Sequence, residues 1–257
     1  MLIYVNGDSH SAGAELVEDF CFAMDDRRYI HLGRTPHPEA IPHTFGYFLS
    51  QSLNAGYFLD AESAGSNQRI LRTTTTFLEE KYSSHITIVI GWSTWEREEW
   101  LHKDLYYQVT ASGTDSVPAE LADKYKQWVT EQTQQELAKK QRYWHNKIYE
   151  FHLDLQSKNI SHLFFNSYNH FNMSDADKFD WQNCYINPYE AAGTYFNWCN
   201  EHGFNTVNKG LHYGRDAQIA WGKYLLPWLT NTNQSSIIQA VKVNPNQRVK
   251  FGPTRTG

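Results

Sequence analysis

Short apolar segments that alternate with helical patterns constrain the fold of this chain more than any other feature of its sequence. Residues 2–5, 86–90 and 160–166 are apolar or β-branched runs with the length of a buried strand, and residues 57–61 and 204–207 are weaker candidates. Between them, apolar side chains recur three and four residues apart, as in amphipathic helices. Such alternation predicts an α/β fold in which helices cover both faces of a mainly parallel, five-stranded sheet.

The same patterns indicate how the 257 residues are organised. Residues 1–229 contain all of the predicted strands and helices and are expected to form one α/β domain, which is an ordinary size for a single core. A long helical insertion is expected around residues 104–158, and its polar middle, residues 130–140, is expected either to project into solvent or to break. Residues 230–257 are polar and without a hydrophobic period, so we interpret them as a C-terminal tail or arm.

The net charge indicates which partners to expect, and the cysteine content indicates whether disulfides or a zinc ribbon are present. The formal net charge of −5 offers no broad attraction to nucleic acid or to an anionic membrane, so small molecules and glycans are the expected partners. Three scattered cysteines do not suggest a disulfide framework or a zinc ribbon. Neither a signal peptide nor a membrane span is recognisable, so we expect a soluble protein that is cytoplasmic where it is synthesised. The oligomeric state is left open.

Metal and nucleotide sites are not indicated by the sequence. Asp175, Asp177 and Asp180 are spaced like the start of a calcium loop, but the central glycine and the final glutamate of such a loop are missing. There is no HExxH motif, no pair of closely spaced cysteines, and no nucleotide-binding glycine-rich loop after the first strand. The sequence therefore predicts chemistry without a metal or a cofactor.

Gly7, Asp8 and Ser9 directly follow the first strand. In a doubly wound sheet, ligands bind beyond the carboxyl ends of the strands, so these residues are expected at the ligand site. A serine hydroxyl there is a candidate nucleophile, provided that a base lies within hydrogen-bond reach and that donors stabilise the oxyanion. A three-residue motif alone is weak evidence for a catalytic serine. The strand before it and the small residues after it make this interpretation stronger.

The partners of Ser9 are expected at the ends of other strands. Gly65 and Asn67 follow the second strand and offer a backbone and an amide donor, although Asn67 is equally suited to cap the next helix. Ser93 follows the third strand, either as a hydroxyl donor or as a plain strand end. His212 precedes the last helix, where a base is expected. The predicted catalytic residues are Ser9 and His212, and the predicted oxyanion donors are Ser9, Gly65, Asn67 and Ser93.

Aromatic residues are concentrated after the third strand, around Trp92, Trp95 and Arg97. Flat side chains at a ligand site stack on sugar rings or aryl groups, and an arginine can bind a carboxylate. Packing in the core explains the tryptophans at least as well, and ion pairs with nearby glutamates explain Arg97 equally well. The candidate substrate-binding residues are Asp8, His10, Trp92, Thr94, Trp95, Arg97 and Tyr213.

Taken in order, these residues resemble the sequence blocks of the SGNH or GDSL hydrolases, a flavodoxin-like α/β/α family of esterases, lipases and carbohydrate deacetylases. Gly7-Asp8-Ser9 resembles the first block, Gly65 the second and His212 the fifth, and the likeness runs from the first strand to Trp228. The resemblance implies a three-layer α/β/α fold, with Ser9 as nucleophile and as an oxyanion donor through its own N–H. It also implies a second backbone donor at Gly65 and a catalytic base at His212.

The third block departs from the family pattern. Gly91-Trp92-Ser93 stands where the family has Gly-x-Asn, so Ser93, Thr94 or Asn67 has to supply the missing donor. The segments around Asn67 and Gly91 also resemble SGNH-type proteins of uncharacterised role that are encoded by marine bacteriophages. That second resemblance implies a phage origin and is less specific about function.

The fifth block departs as well, because Lys209 stands where the family has the aspartate that orients the histidine. Loss of that acid costs a catalytic triad about 10⁴-fold in turnover. Three alternatives follow: another acceptor (Asn208, Asp216 or a backbone oxygen) holds His212, or the enzyme is slow, or the site does not hydrolyse anything.

Two functions of different classes are compatible with these patterns. The first is a serine esterase of SGNH type that hydrolyses small acyl esters, with O-acetyl groups on carbohydrate as the first candidates. The second is a binding or virion-associated protein that keeps the fold and the crevice but has little or no turnover. Lys209, in the place of the family's aspartate, is the reason to consider it.

Overall fold

The computed structural model of the chain describes residues 1–17, 35–81, 85–111, 117–207 and 212–231. The α-helices of this part are α1 (Ser9–Ala12), α2 (Phe45–Ser52), α3 (Asn67–Lys81), α4 (Ala122–Glu131), α5 (Gln134–Ser157), α6 (Tyr195–Glu201) and α7 (Arg215–Asn231). The strands are β1 (Leu2–Gly7), β2 (Gly56–Leu59), β3 (Ile86–Trp92), β4 (Glu98–His102), β5 (Leu105–Val109) and β6 (Ser161–Asn166).

Four strands form the central sheet, in the order β2-β1-β3-β6, and every neighbouring pair is parallel. The register pairs Gly7 with Gly91 and Trp92 with Asn166, so the carboxyl ends of β1, β3 and β6 lie along one edge of the sheet. This confirms the predicted α/β class and parallel sheet. The predicted number of strands is wrong, because the main sheet of the described residues has four strands and not five.

The fifth strand was expected at residues 204–207, which do not join the sheet. They contribute one antiparallel bridge, from Thr206 to Tyr213. The sheet edge beside β6 is instead occupied by residues 184–186, whose main chain forms two hydrogen bonds with Phe164, of 2.7 and 2.9 Å. A single parallel bridge does not make a strand, so this edge segment, residues 184–186, has fewer main-chain hydrogen bonds to the sheet than a full strand would have.

Side chains alternate between the two faces of the sheet, and each face is covered by helices. One face packs against α3 and α5, and the other packs against α2, α6 and α7. Burial on both faces explains why the central strands are almost continuously apolar. The core of the first face includes Tyr4, Ile88, Ile90 and Phe164, and that of the second includes Ile3, Val5, Val89 and Leu163.

A separate antiparallel hairpin, β4-β5, follows the third strand, and it includes residues 105–109, for which the sequence pattern predicts the start of a helical insertion. Glu99 on β4 accepts two hydrogen bonds from Arg72 of α3, at 2.8 and 2.7 Å. Gln108 on β5 accepts the Ser66 N–H at 3.0 Å. The hairpin is therefore fixed against the N-terminal part of α3, close to the ligand end of the sheet.

The helical region after residue 117 breaks at residues 132–133. Of the two alternatives for its polar middle, projection into solvent or a break, the structure shows the break. The Thr133 side chain caps α5 by accepting the Glu136 N–H at 3.2 Å. At the other end of the chain, α7 continues to Asn231, so the first two residues of the predicted tail are helical. Residues 232–257 lie outside the described residues. None of the described helices is both long enough and apolar enough to cross a membrane.

Candidate active site

Ser9 lies where β1 turns sharply into α1. Gly7 ends the strand with a φ of +153°, and a Cβ at Gly7 would clash with Ser11 Oγ and lie 2.8 Å from the Gly91 carbonyl oxygen. The Asp8 side chain caps α1 by accepting the His10 N–H at 3.1 Å. Ser9 is the first residue of the helix, and its N–H is therefore one of the groups for which a helix has no internal acceptor.

A buried polar network holds the Asp8 carboxylate. Ser93 Oγ donates to Asp8 Oδ2 at 3.2 Å, and Arg97 Nη1 lies 3.4 Å from the same oxygen and 3.0 Å from Ser93 Oγ. Asp8 is 1% exposed, and Arg97 is partly exposed. Three residues predicted from the sequence thus meet directly beside Ser9, where they order the turn that carries it.

Asn67 and Gly65 also lie at this edge, but their donors are already engaged. Asn67 Nδ2 donates to the Ser93 carbonyl at 3.1 Å, and Asn67 Oδ1 accepts the Ser93 N–H at 2.8 Å. The Gly65 N–H donates to the Glu62 carbonyl at 3.0 Å. A Cβ at Gly65 would lie 3.1 Å from the Gly7 carbonyl oxygen, so glycine allows the two turns to approach each other.

His212 lies against the segment that carries Ser9. Its ring centroid is 5.2 Å from that of His10, the neighbour of Ser9 in the chain. His212 Nδ1 is 3.1 Å from Glu15 Oε1, and each side chain of this pair is 18% exposed. The two atoms are at ion-pair distance, but Nδ1 has no well-directed hydrogen bond within the described residues. A small rotation of either side chain is needed to form one.

Glu15, the carboxylate beside His212, is not among the residues that the sequence predicts for the site. It follows α1, in a left-handed backbone conformation with φ of +64°, and no motif or spacing distinguishes it from other glutamates. Of the acceptors considered for His212, Asp216 bonds the Ala217 N–H at 2.9 Å. Lys209 and Asn208 lie outside the described residues.

His10 is buried and neutral. Burial lowers its pKa from 6.5 to about 3, although the Asp8 carboxylate acts in the opposite direction. Its ring lies among aromatic neighbours, with centroids 5.2 Å from Tyr195 and 6.0 Å from Tyr168. An imidazole with a pKa this far below neutral pH takes up a proton too weakly to serve as the general base, and His212 remains the candidate.

The large aromatic side chains predicted to bind substrate lie mainly in the core. Trp92 is 1% exposed and packs edge-on against Phe164, and Trp95 stacks on Phe171 at 5.5 Å. Tyr213 is buried and donates from its hydroxyl to the Phe196 carbonyl at 3.0 Å. Core packing, the other reading that the sequence allowed for the tryptophans, accounts for these positions.

The Thr94 hydroxyl and the stacked rings of Tyr168 and Phe196 are further groups that could contact a substrate. Thr94 Oγ1 is buried and has no hydrogen-bond partner within the described part of the chain. Tyr168, just after β6, stacks on Phe196 at 4.4 Å, and both rings are partly exposed beside His10. Tyr168 and Phe196 were not singled out from the sequence, because their proximity depends on two segments far apart in the chain.

Neither a protein-family model nor a curated protein matches the chain. Among solved structures, the chain is similar to a carbohydrate esterase whose active site is described as displaying divergent catalytic and non-catalytic binding functions. The sequence identity is 14% and the TM-score is 0.46, and the similarity covers 90% of this chain but 65% of that chain's length. A likeness of this degree carries no functional argument, so any functional conclusion must come from the site itself.

Proposed function

We propose that the protein is a serine ester hydrolase of SGNH type, with Ser9 as nucleophile, His212 as general base and Glu15 as the acid that orients the histidine. The observation that carries this proposal is the approach of Glu15 Oε1 to within 3.1 Å of His212 Nδ1, beside the turn of Ser9. It supplies a carboxylate at the histidine even though the family's aspartate is replaced by Lys209 in the sequence.

The proposed reaction has two acyl-transfer steps. Ser9 Oγ attacks the ester carbonyl while His212 takes its proton, and His212 then returns this proton to the departing alcohol as the C–O bond breaks. Water attacks the acyl-Ser9 ester in the second step with the same proton relay, which releases the carboxylic acid. The Glu15 carboxylate stabilises the imidazolium that forms in each step without taking up the proton itself.

Oxyanion stabilisation is proposed to come from the Ser9 N–H together with one side-chain hydroxyl. Ser93 Oγ already donates to Asp8, while Asn67 is tied to the main chain of Ser93. Thr94 Oγ1 is the better candidate for the donor that the family takes from asparagine, because it is buried without a partner in the described residues. Gly65 stays a candidate only if its N–H is shared with the Glu62 carbonyl.

Small acyl groups on carbohydrate are the proposed substrates. The partly exposed Tyr168–Phe196 stack supports this choice, because a sugar ring can pack its apolar face on such rings. Trp92 and Trp95 are buried, so we assign contact with the sugar ring to Tyr168 and Phe196 instead.

Labelling with a fluorophosphonate probe tests the proposal. We expect covalent labelling of the native protein and of a Ser11→Ala control, and loss of labelling in Ser9→Ala. Ser11 is a matched control because it lies two residues further along α1 and its buried hydroxyl has no partner in the described residues. Absence of labelling of the native protein across neutral and mildly alkaline pH would contradict the proposal and favour a binding or virion-associated role.

A further inference from the structure

A second cluster of reactive side chains lies away from the candidate active site. His152 on α5, His162 on β6 and Cys184 in the edge segment are buried, and their potential ligand atoms all lie within 4.8 Å of one another. They come from three elements that meet at the outer edge of the sheet. No sequence motif could have shown this set, because its members are 10 and 22 residues apart along the chain.

Hydrogen bonds define which nitrogen of each ring carries a proton. His162 Nδ1 lies 2.9 Å from the Ile160 carbonyl oxygen, which can only accept, so Nδ1 carries the proton and Nε2 has a free electron pair. His162 Nε2 is 2.8 Å from His152 Nδ1. An imidazole that donates one N–H to a backbone carbonyl and presents its other nitrogen to a cluster is arranged as metal-binding histidines are.

The metal-free arrangement leaves His152 poorly satisfied. If its Nδ1 donates to His162 Nε2, its Nε2 is a bare acceptor, and this atom is buried without a hydrogen-bond partner in the described residues. A cation on Nδ1 would move the ring proton to Nε2, which then becomes a donor.

We propose that His152 Nδ1, His162 Nε2 and Cys184 Sγ bind a divalent transition-metal ion, with zinc as the metal that this donor set fits best. Two imidazoles and one thiolate are typical zinc ligands, at about 2.0–2.1 Å for nitrogen and 2.3 Å for sulfur. Tetrahedral ligation needs the two nitrogens about 3.3 Å apart, so the rings must separate slightly from their hydrogen-bonded distance. The Asp180 carboxylate adds negative charge next to His152 and Cys184.

Binding has a defined proton balance. An ordinary cysteine thiol has a pKa of about 8.5 and is protonated at neutral pH, so the metal-free protein holds a neutral Cys184 thiol. The metal displaces this proton to solvent as the metal–sulfur bond forms, while the histidines bind in their neutral form. One proton is therefore released for each ion bound at neutral pH.

The site has a structural purpose in this fold. Cys184 belongs to the edge segment, which replaces a fifth strand with a single bridge to Phe164. A metal ion would join this segment to β6 and α5, and so provide the attachment that a full strand would obtain from its hydrogen bonds.

Cobalt binding to tag-free, chelator-treated protein tests the proposal. We expect a thiolate-to-cobalt charge-transfer band, and we expect Zn²⁺ to remove it and to raise the Tm by several degrees. Cys184→Ser should lack the band and bind Zn²⁺ about 100-fold more weakly or worse. Cys199→Ser is the matched control, because Cys199 is also buried but lies in the opposite core.

A single-thiol variant keeps the test decisive if Cys184→Ser does not fold. In Cys21→Ser/Cys199→Ser, Cys184 is the only thiol of the chain, and we expect the cobalt band and the zinc-dependent Tm shift to persist. No band in the native protein, loss of the band in this variant, or an unchanged band in a folded Cys184→Ser would each overturn the proposal.

Discussion

Two histidine sites in the described part of this protein have opposite surroundings. At the ligand end of the sheet, His212 is partly exposed and has the Glu15 carboxylate at 3.1 Å. At the sheet edge, His152 and His162 are almost fully buried and bond each other at 2.8 Å, with a thiol beside them. The same side chain is thus placed in one setting that favours proton transfer and in another that favours a bound cation.

The difference lies in charge and access. A carboxylate stabilises an imidazolium, and contact with solvent allows substrate to reach the ring, so the first setting permits a general base. Burial keeps His152 and His162 neutral, because it lowers the pKa of His162 to about 4 and also lowers that of His152. Neutral rings with a fixed tautomer are able to bind metal ions, and their lowered pKa values make them weak proton acceptors at neutral pH.

Removal of His212 should have the largest effect. His212→Ala is expected to lower kcat for a small acyl ester by about 10⁴-fold or more, because Ser9 then has no base. Steady-state kinetics on folded protein measures this loss. His202→Gln, a change at the exposed histidine that follows the last residue of α6 and stacks on Trp198, should leave kcat within a factor of two. Equal losses in both variants would contradict the assignment.

Replacement of Glu15 should have the next largest effect. Glu15→Gln is expected to lower kcat by about 10²–10⁴-fold with little change in KM, because the imidazolium loses its counter-charge while substrate contacts stay. Glu15→Asp should recover part of the activity, since it restores the charge at a longer distance. A purely structural role for Glu15 would show the opposite pattern, with kcat unaffected in Glu15→Gln once folding is accounted for.

Gly7→Ala should destabilise the turn that carries Ser9 by about 1–3 kcal/mol. The new Cβ would combine an unfavourable φ with the close approach of the Gly91 carbonyl oxygen. Gly203→Ala is the matched control, because Gly203 has a φ of +79° but no atom lies within 4 Å of the added Cβ. Urea unfolding should show the larger loss for Gly7→Ala, and equal losses would mean that crowding is unimportant at this turn.

Acid should weaken the fold through His10. Its folded pKa of about 3 lies below its ordinary value of 6.5, so the unfolded chain takes up a proton first as the pH falls. The stability that depends on neutral His10 is complete above pH 6.5 and declines towards pH 3, with a slope of at most about 1.4 kcal/mol per pH unit. His10→Gln should flatten the dependence of the unfolding free energy on pH, and an unchanged slope would contradict the assignment.

The parts of the fold that could be predicted are those with a local pattern. β1, β3 and β6 are continuous apolar runs because both faces of the sheet are covered. The β4-β5 hairpin was missed because Lys103 and Asp104 form its turn with positive φ angles, a role in which Asn-Gly is usual. The alternation around Trp100 could have indicated a strand.

The edge of the sheet and the partner of His212 could not be predicted. Residues 184–186 take the fifth position through one bridge, and only the tertiary packing selects them over residues 204–207. Glu15 reaches His212 because the chain turns back after α1, and a single left-handed residue has no sequence signature. Ser9 and His212 could be proposed because both follow from the order of the strand ends, whereas the contact of His212 with Glu15, 197 positions away, could not.

Trapping of the acyl-enzyme tests the central claim most directly. The protein is mixed with an excess of an activated acetyl ester, quenched in acid during turnover and digested, and the peptides are measured by mass spectrometry. We expect the mass of one acetyl group on the peptide that contains Ser9, and none in Ser9→Ala. Turnover without any acylated peptide, or an acetyl group on another residue that forms and decays at the rate of turnover, would contradict Ser9 as the nucleophile.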